Sequence, residues 1–233
     1  MVIWPFVKRT KLKKQKLNRE ASLMRVLVIG DSMVSGENNK GKSFADYLSV
    51  SGSVIKVGVS GTTLGEYSLY PVEGYSLLAQ IKRYEIAVKQ ADVILLHYGV
   101  NDASALLLGN TTTKQVIVSL VKALDYIAQL NPKAVVKFLT LSLAGEVMKP
   151  YAKLHCMYLR RYYDGYDLPI EWKKWFEAYS SFIDIVEKRL EIIPLVNSYE
   201  WMIEYLDEDE IHFKDEGYRD IARRISSRLR REL

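Results

Sequence analysis

Short runs of apolar residues alternate with longer stretches in which apolar residues recur at helical spacing. This alternation is typical of an α/β domain with a largely parallel sheet. The apolar runs predict five strands, at Arg25–Ile29, Ser53–Val57, Asp92–Tyr98, Ala134–Leu141 and about Ile192–Val196. The stretches between and after them predict helices, including roughly Tyr75–Gln90, Thr113–Gln129 and a last helix from about Glu216. We therefore expect a three-layer α/β/α sandwich around a five-stranded, mostly parallel sheet.

Polar, glycine-containing turns follow the first three predicted strands. These turns are Gly30-Asp31-Ser32, the segment Gly58–Gly65, and Gly99-Val100-Asn101-Asp102. In an open parallel sheet, ligands bind at the carboxyl ends of the strands. The three turns are far apart in sequence, yet this rule predicts that they meet at one site.

Charge is unevenly distributed along the 233 residues, and this changes what the net charge of +5 implies. Residues 1–25 hold eight basic side chains and one acidic one, whereas the remaining residues hold 25 basic and 27 acidic ones. The sequence thus predicts a basic leader over residues 1–24 and one domain over 25–233, with no nucleic-acid surface on that domain. A solvated leader is the favoured interpretation, and weak contact with an anionic membrane surface is the alternative.

Targeting signals are not recognisable in the chain. The apolar piece Met1–Val7 is too short for a signal peptide and precedes the charges that it should follow. No apolar run approaches the ~18 residues of a membrane span. The single Cys156 excludes an intramolecular disulfide and is expected to be a small buried side chain. These observations together predict a cytoplasmic protein.

Ser32 is the candidate nucleophile, because it follows a buried strand where the chain turns toward a helix. On local evidence alone, a helix N-cap is the favoured interpretation of this serine. A nucleophilic serine needs a base and a group that orients the base. Of the three histidines, His97 lies in the most apolar strand and is expected to be a core residue, and His155 lies in a tyrosine-rich segment. His212 follows Asp209 by three residues, so the carboxylate can orient its imidazole.

Acyl transfer also requires donors for the negative charge on the tetrahedral intermediate. The candidates are the backbone N–H groups of Ser32 and Gly61 and the side-chain amide of Asn101. Singly, Gly61 can be read as a turn former and Asn101 as a loop or cap residue. Jointly, their order and their positions at the predicted turns favour an oxyanion hole.

Four blocks in this order resemble those of the SGNH (GDSL) serine hydrolases. The blocks are Gly30-Asp31-Ser32, Gly61, Gly99-Val100-Asn101-Asp102, and Asp209-Glu210-Ile211-His212, and the resemblance spans about residues 25–230. It implies the flavodoxin-like SGNH hydrolase fold. It also implies Ser32 as nucleophile, His212 as general base, Asp209 as its orienting acid, and Ser32, Gly61 and Asn101 as the oxyanion hole. Two positions depart from the family pattern: Lys56 where many members have Asn, and Phe213 where many have Pro.

An aromatic-rich insertion is predicted at about residues 145–190, between the fourth and fifth strands. Its aromatic side chains are Tyr151, Tyr158, Tyr162, Tyr163, Tyr166, Trp172, Trp175, Phe176 and Tyr179. Aromatic faces suit carbohydrate rings, but packing onto the body of the protein, or onto a second subunit, is the slightly favoured interpretation. Likewise, Arg160 and Arg161 are read as exposed charges, with contact to an anionic substrate as the alternative.

The leading hypothesis is a serine esterase that acts on a short-acyl or O-acetyl ester, with a carbohydrate ester among the candidates, through an acyl-enzyme on Ser32. An O-acyltransferase with the same triad is the first alternative, and a non-catalytic binding module on the same scaffold is the second. The arrangement requires no metal and no cofactor. The partner implied is a small-molecule or carbohydrate ester, and the sequence leaves the true substrate and the oligomeric state open.

Overall fold

Five parallel strands form the centre of the molecule. The structure, a computed structural model, describes residues 23–67, 76–142, 145–162, 171–209 and 211–232. The strands are β1 (Arg25–Gly30), β2 (Ser53–Gly58), β3 (Val93–His97), β4 (Val135–Thr140) and β5 (Glu191–Pro194). They lie in the order β2-β1-β3-β4-β5, and all four neighbouring pairs are parallel. The predicted five-stranded α/β fold is therefore confirmed.

Burial follows each strand's place in the sheet. Every side chain of β3 is buried, and β1 is buried from Val26 to Gly30, because both strands have a neighbour on each side and helices above and below. The edge strands β2 and β5 are only partly buried. Consequently, the most continuous apolar runs in the sequence are the central strands.

Nine helices and one 3₁₀ helix occur in the described residues. They are α1 (Ser32–Ser35), the 3₁₀ helix (Phe44–Tyr47), α2 (Leu77–Arg83), α3 (Glu85–Gln90), α4 (Val100–Leu107), α5 (Thr113–Leu130), α6 (Gly145–Tyr162), α7 (Trp172–Glu187), α8 (Tyr199–Tyr205) and α9 (Asp215–Glu232). From β1 the chain crosses to β2 on one side of the sheet's first strand, and β3, β4 and β5 then follow in order on the other side. Because such crossovers are right-handed, this reversal places helices on both faces of the sheet. Contacts agree: α9 packs on the 3₁₀ helix, whereas α5 packs on α2, α3 and α7.

The prediction of one continuous helix at Tyr75–Gln90 is wrong. Within its described part, α2 ends at Arg83 and α3 begins at Glu85, because Tyr84 between them leaves the helical conformation with φ −114° and ψ 31°. By contrast, α5 matches its prediction within one residue, since Thr112 and Gln115 form a reciprocal capping box at its start.

The basic leader predicted at residues 1–24 lies outside the described residues except for residues 23 and 24. The predicted aromatic insertion forms α6 and α7, which pack on each other, and residues 163–170 between them are not described. The reversal of direction lies between β1 and β3. This is the switch point at which open α/β sheets bind ligands.

Candidate active site

Ser32 lies directly beyond the carboxyl end of β1, as the first residue of α1. Asp31, not Ser32, caps this short helix: its carboxylate accepts a hydrogen bond from the backbone N–H of Met33 at 3.0 Å. The N-cap interpretation of Ser32 is therefore wrong. The Ser32 hydroxyl has no capping bond, and the side chain lines a cavity at this end of the sheet.

His212 reaches the same cavity from the loop before α9. Its Nδ1 lies 2.5 Å from Oδ2 of Asp209. The other carboxylate oxygen of Asp209 accepts the backbone N–H groups of Ile211 at 3.0 Å and His212 at 2.9 Å. Because an ionised carboxylate only accepts hydrogen bonds, Nδ1 of His212 carries the proton and Nε2 has a free lone pair. Nε2 is buried and has no hydrogen-bond partner among the described residues.

The Asp209–His212 pair makes the imidazole more basic. Burial by itself lowers the pKa of His212, but the hydrogen bond and the charge of Asp209 outweigh it and raise the pKa above the ordinary histidine value. For Asp209 the signs are opposite. Burial by itself raises the pKa of this carboxyl, but the hydrogen bonds from His212 outweigh burial and lower the pKa below its ordinary value. The carboxylate therefore stays ionised while the imidazole gains a proton.

Asn38 is a third member of this cluster, and no sequence pattern indicated it. It lies in the turn after α1, and its side-chain amide donates a hydrogen bond to Oδ2 of Asp209, the oxygen that faces His212. The amide nitrogen is also 3.4 Å from Nδ1 of His212. Since both nitrogens are donors in the tautomer above, the amide bonds the carboxylate. The contact joins residues 171 positions apart, so no local pattern predicts it.

The proposed oxyanion donors occupy the turns after β2 and β3. Gly61 has φ +74°, a left-handed conformation that favours glycine. Asn101 lies in the first turn of α4 rather than in a loop, and Gly99 is the N-cap, so the loop and cap interpretations of Asn101 are wrong. The Asn101 amide donates to the carbonyl of Thr62 at 3.0 Å. That bond uses one of its two N–H groups and fixes the side chain against the Gly61 turn.

Ser32, Gly61, Asn101 and His212 line one cavity of about 260 Å³. Its other described lining residues are Met33, Glu37, Ser60, Val100, Tyr151, His155, Tyr158, Leu159 and Ile211. No hydrogen bond joins Ser32 to His212 in this structure. In enzymes without substrate such bonds are often long and tighten when substrate binds. The structure thus brings together in one hollow all the residues predicted for the site, with Asp209 attached through His212.

The aromatic insertion contributes side chains both to the hydrophobic core and to the cavity lining. Trp175 and Tyr179 of α7 are fully buried and stack on each other, as the packing interpretation expects. Tyr151 and Tyr158 of α6 line the cavity, as the substrate interpretation expects. Arg160 and Arg161 do not line it, and no lysine or arginine does so among the described residues.

The two departures from the family pattern lie away from the cavity lining. Lys56 donates to Asp46 and to the carbonyl of Gly41, each at 2.6 Å. Phe213 is buried and packs edge-on against Trp201 and Tyr218. Both side chains are therefore structural.

His97 is fully buried, as expected of a core residue. Its Nδ1 lies 3.3 Å from the buried Asp31 carboxylate, but neither ring nitrogen has a hydrogen-bond partner in the described part of the chain. His97 is therefore a core residue next to Asp31, and it does not line the cavity.

The fold and the cavity define a doubly wound α/β protein with a serine, a histidine–aspartate pair and an amide-lined turn at its switch point. The model of the GDSL-like lipase/acylhydrolase family matches residues 28–219. The chain belongs to this family, and the protein is a hydrolase that acts on ester bonds. A search of curated proteins found no match.

Solved structures of similar fold include several esterases. The lipase Lip_vut3 from a goat rumen metagenome is 17% identical, with 88% of this chain and 96% of that one covered and a TM-score of 0.57. A carbohydrate acetylesterase family member from Sinorhizobium meliloti is 12% identical, with coverage of 90% and 98% and a TM-score of 0.55. A catalytic mutant of the acetylxylan esterase Axe2 from Geobacillus stearothermophilus is 13% identical, with coverage of 88% and 94% and a TM-score of 0.55. At these identities the likeness shows the fold.

The described residues contain no group of three or more His, Cys, Asp or Glu side chains placed to hold a metal ion. None of the helices in the described ranges is long and apolar enough to cross a bilayer.

Proposed function

We propose that the protein is a serine esterase that cleaves a short-acyl or O-acetyl ester through an acyl-enzyme on Ser32. The observation that carries the proposal is that Ser32, His212, Gly61 and Asn101 line one cavity while Asp209 bonds the far side of the imidazole. A nucleophile, an oriented base and donors for an oxyanion are the three requirements of acyl transfer.

In the acylation step, Nε2 of His212 takes the hydroxyl proton as Ser32 Oγ attacks the ester carbonyl carbon. The carbonyl oxygen becomes an oxyanion, for which the N–H groups of Ser32 and Gly61 and the second amide N–H of Asn101 are the donors. Collapse of this intermediate breaks the bond to the alcohol oxygen, which leaves with the proton from His212. Water then attacks the acyl-enzyme, gives its proton to His212 and releases the acid, and His212 returns the proton to Ser32.

Cavity size and charge support a small, neutral ester. About 260 Å³ lies below the range of ordinary drug-sized ligand sites. Glu37 is the only Lys, Arg, Asp or Glu among the described lining residues, so the cavity offers an anionic substrate no cationic partner there. An O-acetyl group on a sugar fits this chemistry, and two structures of similar fold bear the names of carbohydrate and xylan acetylesterases.

A fluorophosphonate probe tests the nucleophile. We expect labelling of the wild-type protein and none of Ser32→Ala. Ser35→Ala is the matched control, because Ser35 lies in the same turn but outside the cavity lining, and it should still be labelled. Labelling of Ser32→Ala at the wild-type rate would remove Ser32 from the mechanism.

Turnover of 4-nitrophenyl acetate, with and without sugar acceptors, separates the alternatives. Release of acetate as the main product supports a hydrolase, whereas transfer of the acetyl group to the acceptor supports an O-acyltransferase. A binding module would turn over no ester, and any slow turnover would persist in His212→Ala.

A further inference from the structure

His155 is a wall residue of the proposed active site, and the mechanism above does not use it. It lies on α6, is only 3% exposed and lines the cavity together with Ser32 and His212. Its Nδ1 is buried and has no hydrogen-bond partner among the described residues. A buried polar atom without a partner costs stability. Such an atom beside a ligand cavity is a place where a bound molecule can supply the missing partner.

The other ring nitrogen is already engaged. Nε2 of His155 lies 2.9 Å from Oγ of Ser104, which also accepts the indole N–H of Trp175 at 2.9 Å. Ser104 in turn lies 3.0 Å from the carbonyl of Val100, to which its hydroxyl donates. With that proton used, Ser104 accepts from both rings. Nε2 of His155 therefore carries the imidazole proton, and Nδ1 is an acceptor.

Aromatic neighbours hold the imidazole plane in place. Tyr151 stacks on the ring at 5.9 Å between centroids with planes 14° apart, and Trp175 contacts it at 5.0 Å and 45°. Tyr158 stacks at 6.1 Å. These contacts oppose rotation of the ring toward another partner. Burial lowers the pKa of His155 to about 3, so the ring stays neutral where His212 titrates, and it is a poor second base.

We propose that Nδ1 of His155 binds a hydroxyl group of the substrate, which makes His155 a specificity-determining residue for hydroxylated, uncharged esters. The inference rests on the proposed function, because it assigns the ligand of the same cavity. A hydroxyl is the fitting partner because Nδ1 is an acceptor, and a hydroxyl donates a hydrogen bond without bringing a charge into the cavity. An unsubstituted alkyl ester leaves Nδ1 without a partner and is disfavoured.

Two pairs of esters that differ in hydroxyl groups test the proposal and locate the hydroxyl. On the acyl side, 4-nitrophenyl glycolate is compared with 4-nitrophenyl acetate, and on the alcohol side glycerol 1-acetate is compared with propyl acetate. We expect wild type to favour the hydroxylated ester about threefold to tenfold in kcat/KM in one pair, the size expected for one hydrogen bond. Equal kcat/KM within both pairs would overturn the proposal.

Three variants of His155 distinguish the role of Nδ1 from that of Nε2. The amide of His155→Asn lies near the position of Nδ1, whereas that of His155→Gln lies near Nε2. We expect His155→Asn to keep part of the preference and His155→Gln and His155→Phe to lose it. Cys156→Ala is the control for disturbance of α6, since Cys156 is buried on the same helix outside the cavity lining. Its preference should equal that of wild type, and retention of the full preference in His155→Gln and His155→Phe would contradict the proposal.

A binding measurement keeps this test independent of catalysis. Dissociation constants of the four esters for Ser32→Ala, and for Ser32→Ala combined with His155→Gln, can be obtained by ligand-observed NMR. The hydroxylated ester should bind Ser32→Ala more tightly in one pair, and the difference should vanish in the double variant. If wild type cleaves none of the esters, the proposed function fails, while this difference still decides the role of His155.

Discussion

Oδ2 of Asp209 faces Nδ1 of His212 at 2.5 Å and accepts a second hydrogen bond from the side chain of Asn38. One carboxylate oxygen thus links the turn after the nucleophile to the loop that carries the base. Because Asn38 follows Ser32 by six residues, this contact ties the position of the imidazole to that of the hydroxyl.

Asp209→Asn should impair catalysis and shift its pH dependence. The amide has nearly the shape of the carboxylate but lacks the charge that raises the pKa of His212. Because kcat/KM requires the neutral imidazole, activity rises with pH through the His212 pKa, and in this variant the rise should move to lower pH. We expect kcat to fall on the order of 10³–10⁴-fold, as for other triads in which the acid is replaced by its amide.

The measurement is the pH profile of kcat/KM for 4-nitrophenyl acetate in wild type and Asp209→Asn. Asp207→Asn is the control, since Asp207 precedes the same loop and its carboxylate bonds only the backbone N–H of Glu208 among the described contacts. An unchanged profile in Asp209→Asn would show that Asp209 does not set the basicity of His212.

Asn38→Ala should lower kcat about tenfold with little change in KM. Loss of the amide removes a charge-assisted hydrogen bond from Asp209 and leaves its oxygen to interact more strongly with His212. The acid limb of the pH profile should therefore shift to higher pH, opposite to the shift in Asp209→Asn. A role that is only structural would lower stability without moving the limb.

Asn39→Ala is the matched control for Asn38. The neighbouring side chain bonds Asp215 and the carbonyl of Lys42 instead of Asp209, so its loss should cost stability and leave the pH profile unchanged. Identical profiles in the two alanine variants would contradict a positioning role for Asn38.

The strands, and the turns that carry Ser32, Gly61 and Asn101, were predictable for one physical reason. Strands buried on both faces, such as β3, are continuous apolar runs, and their ends mark the sheet edge where Gly61 and Asn101 lie. Periodicity could not show the break at Tyr84, because apolar residues recur on both sides of it. Asn38 and His155 escaped prediction because their contacts join residues 171 and 51 positions apart.

Asn101→Ala should lower kcat about 10²–10³-fold while KM changes little, because an oxyanion donor acts on the transition state rather than on bound substrate. Steady-state kinetics with 4-nitrophenyl acetate measures this split. The variant also loses the bond to Thr62, worth about 1 kcal/mol, so thermal unfolding should be measured in parallel. A kcat within threefold of wild type in a folded variant would exclude Asn101 from the oxyanion hole.

Gly30→Ala should destabilise the fold by about 1–3 kcal/mol or more, because an added methyl group has no room at the end of β1. It would lie 2.6 Å from the backbone carbonyl of His97 and 2.5 Å from a methyl group of Val34. The carbonyl belongs to the buried strand β3 and cannot move aside cheaply, so the carboxyl end of β1, and Ser32 with it, must shift.

Gly109→Ala is the matched comparison: its φ of +73° strains an alanine by about 1–2 kcal/mol, but nothing lies within 4 Å. Urea unfolding gives both costs, and 4-nitrophenyl acetate turnover should fall in Gly30→Ala alone. Wild-type turnover in Gly30→Ala would show that the close approach of β1 and β3 does not position the nucleophile.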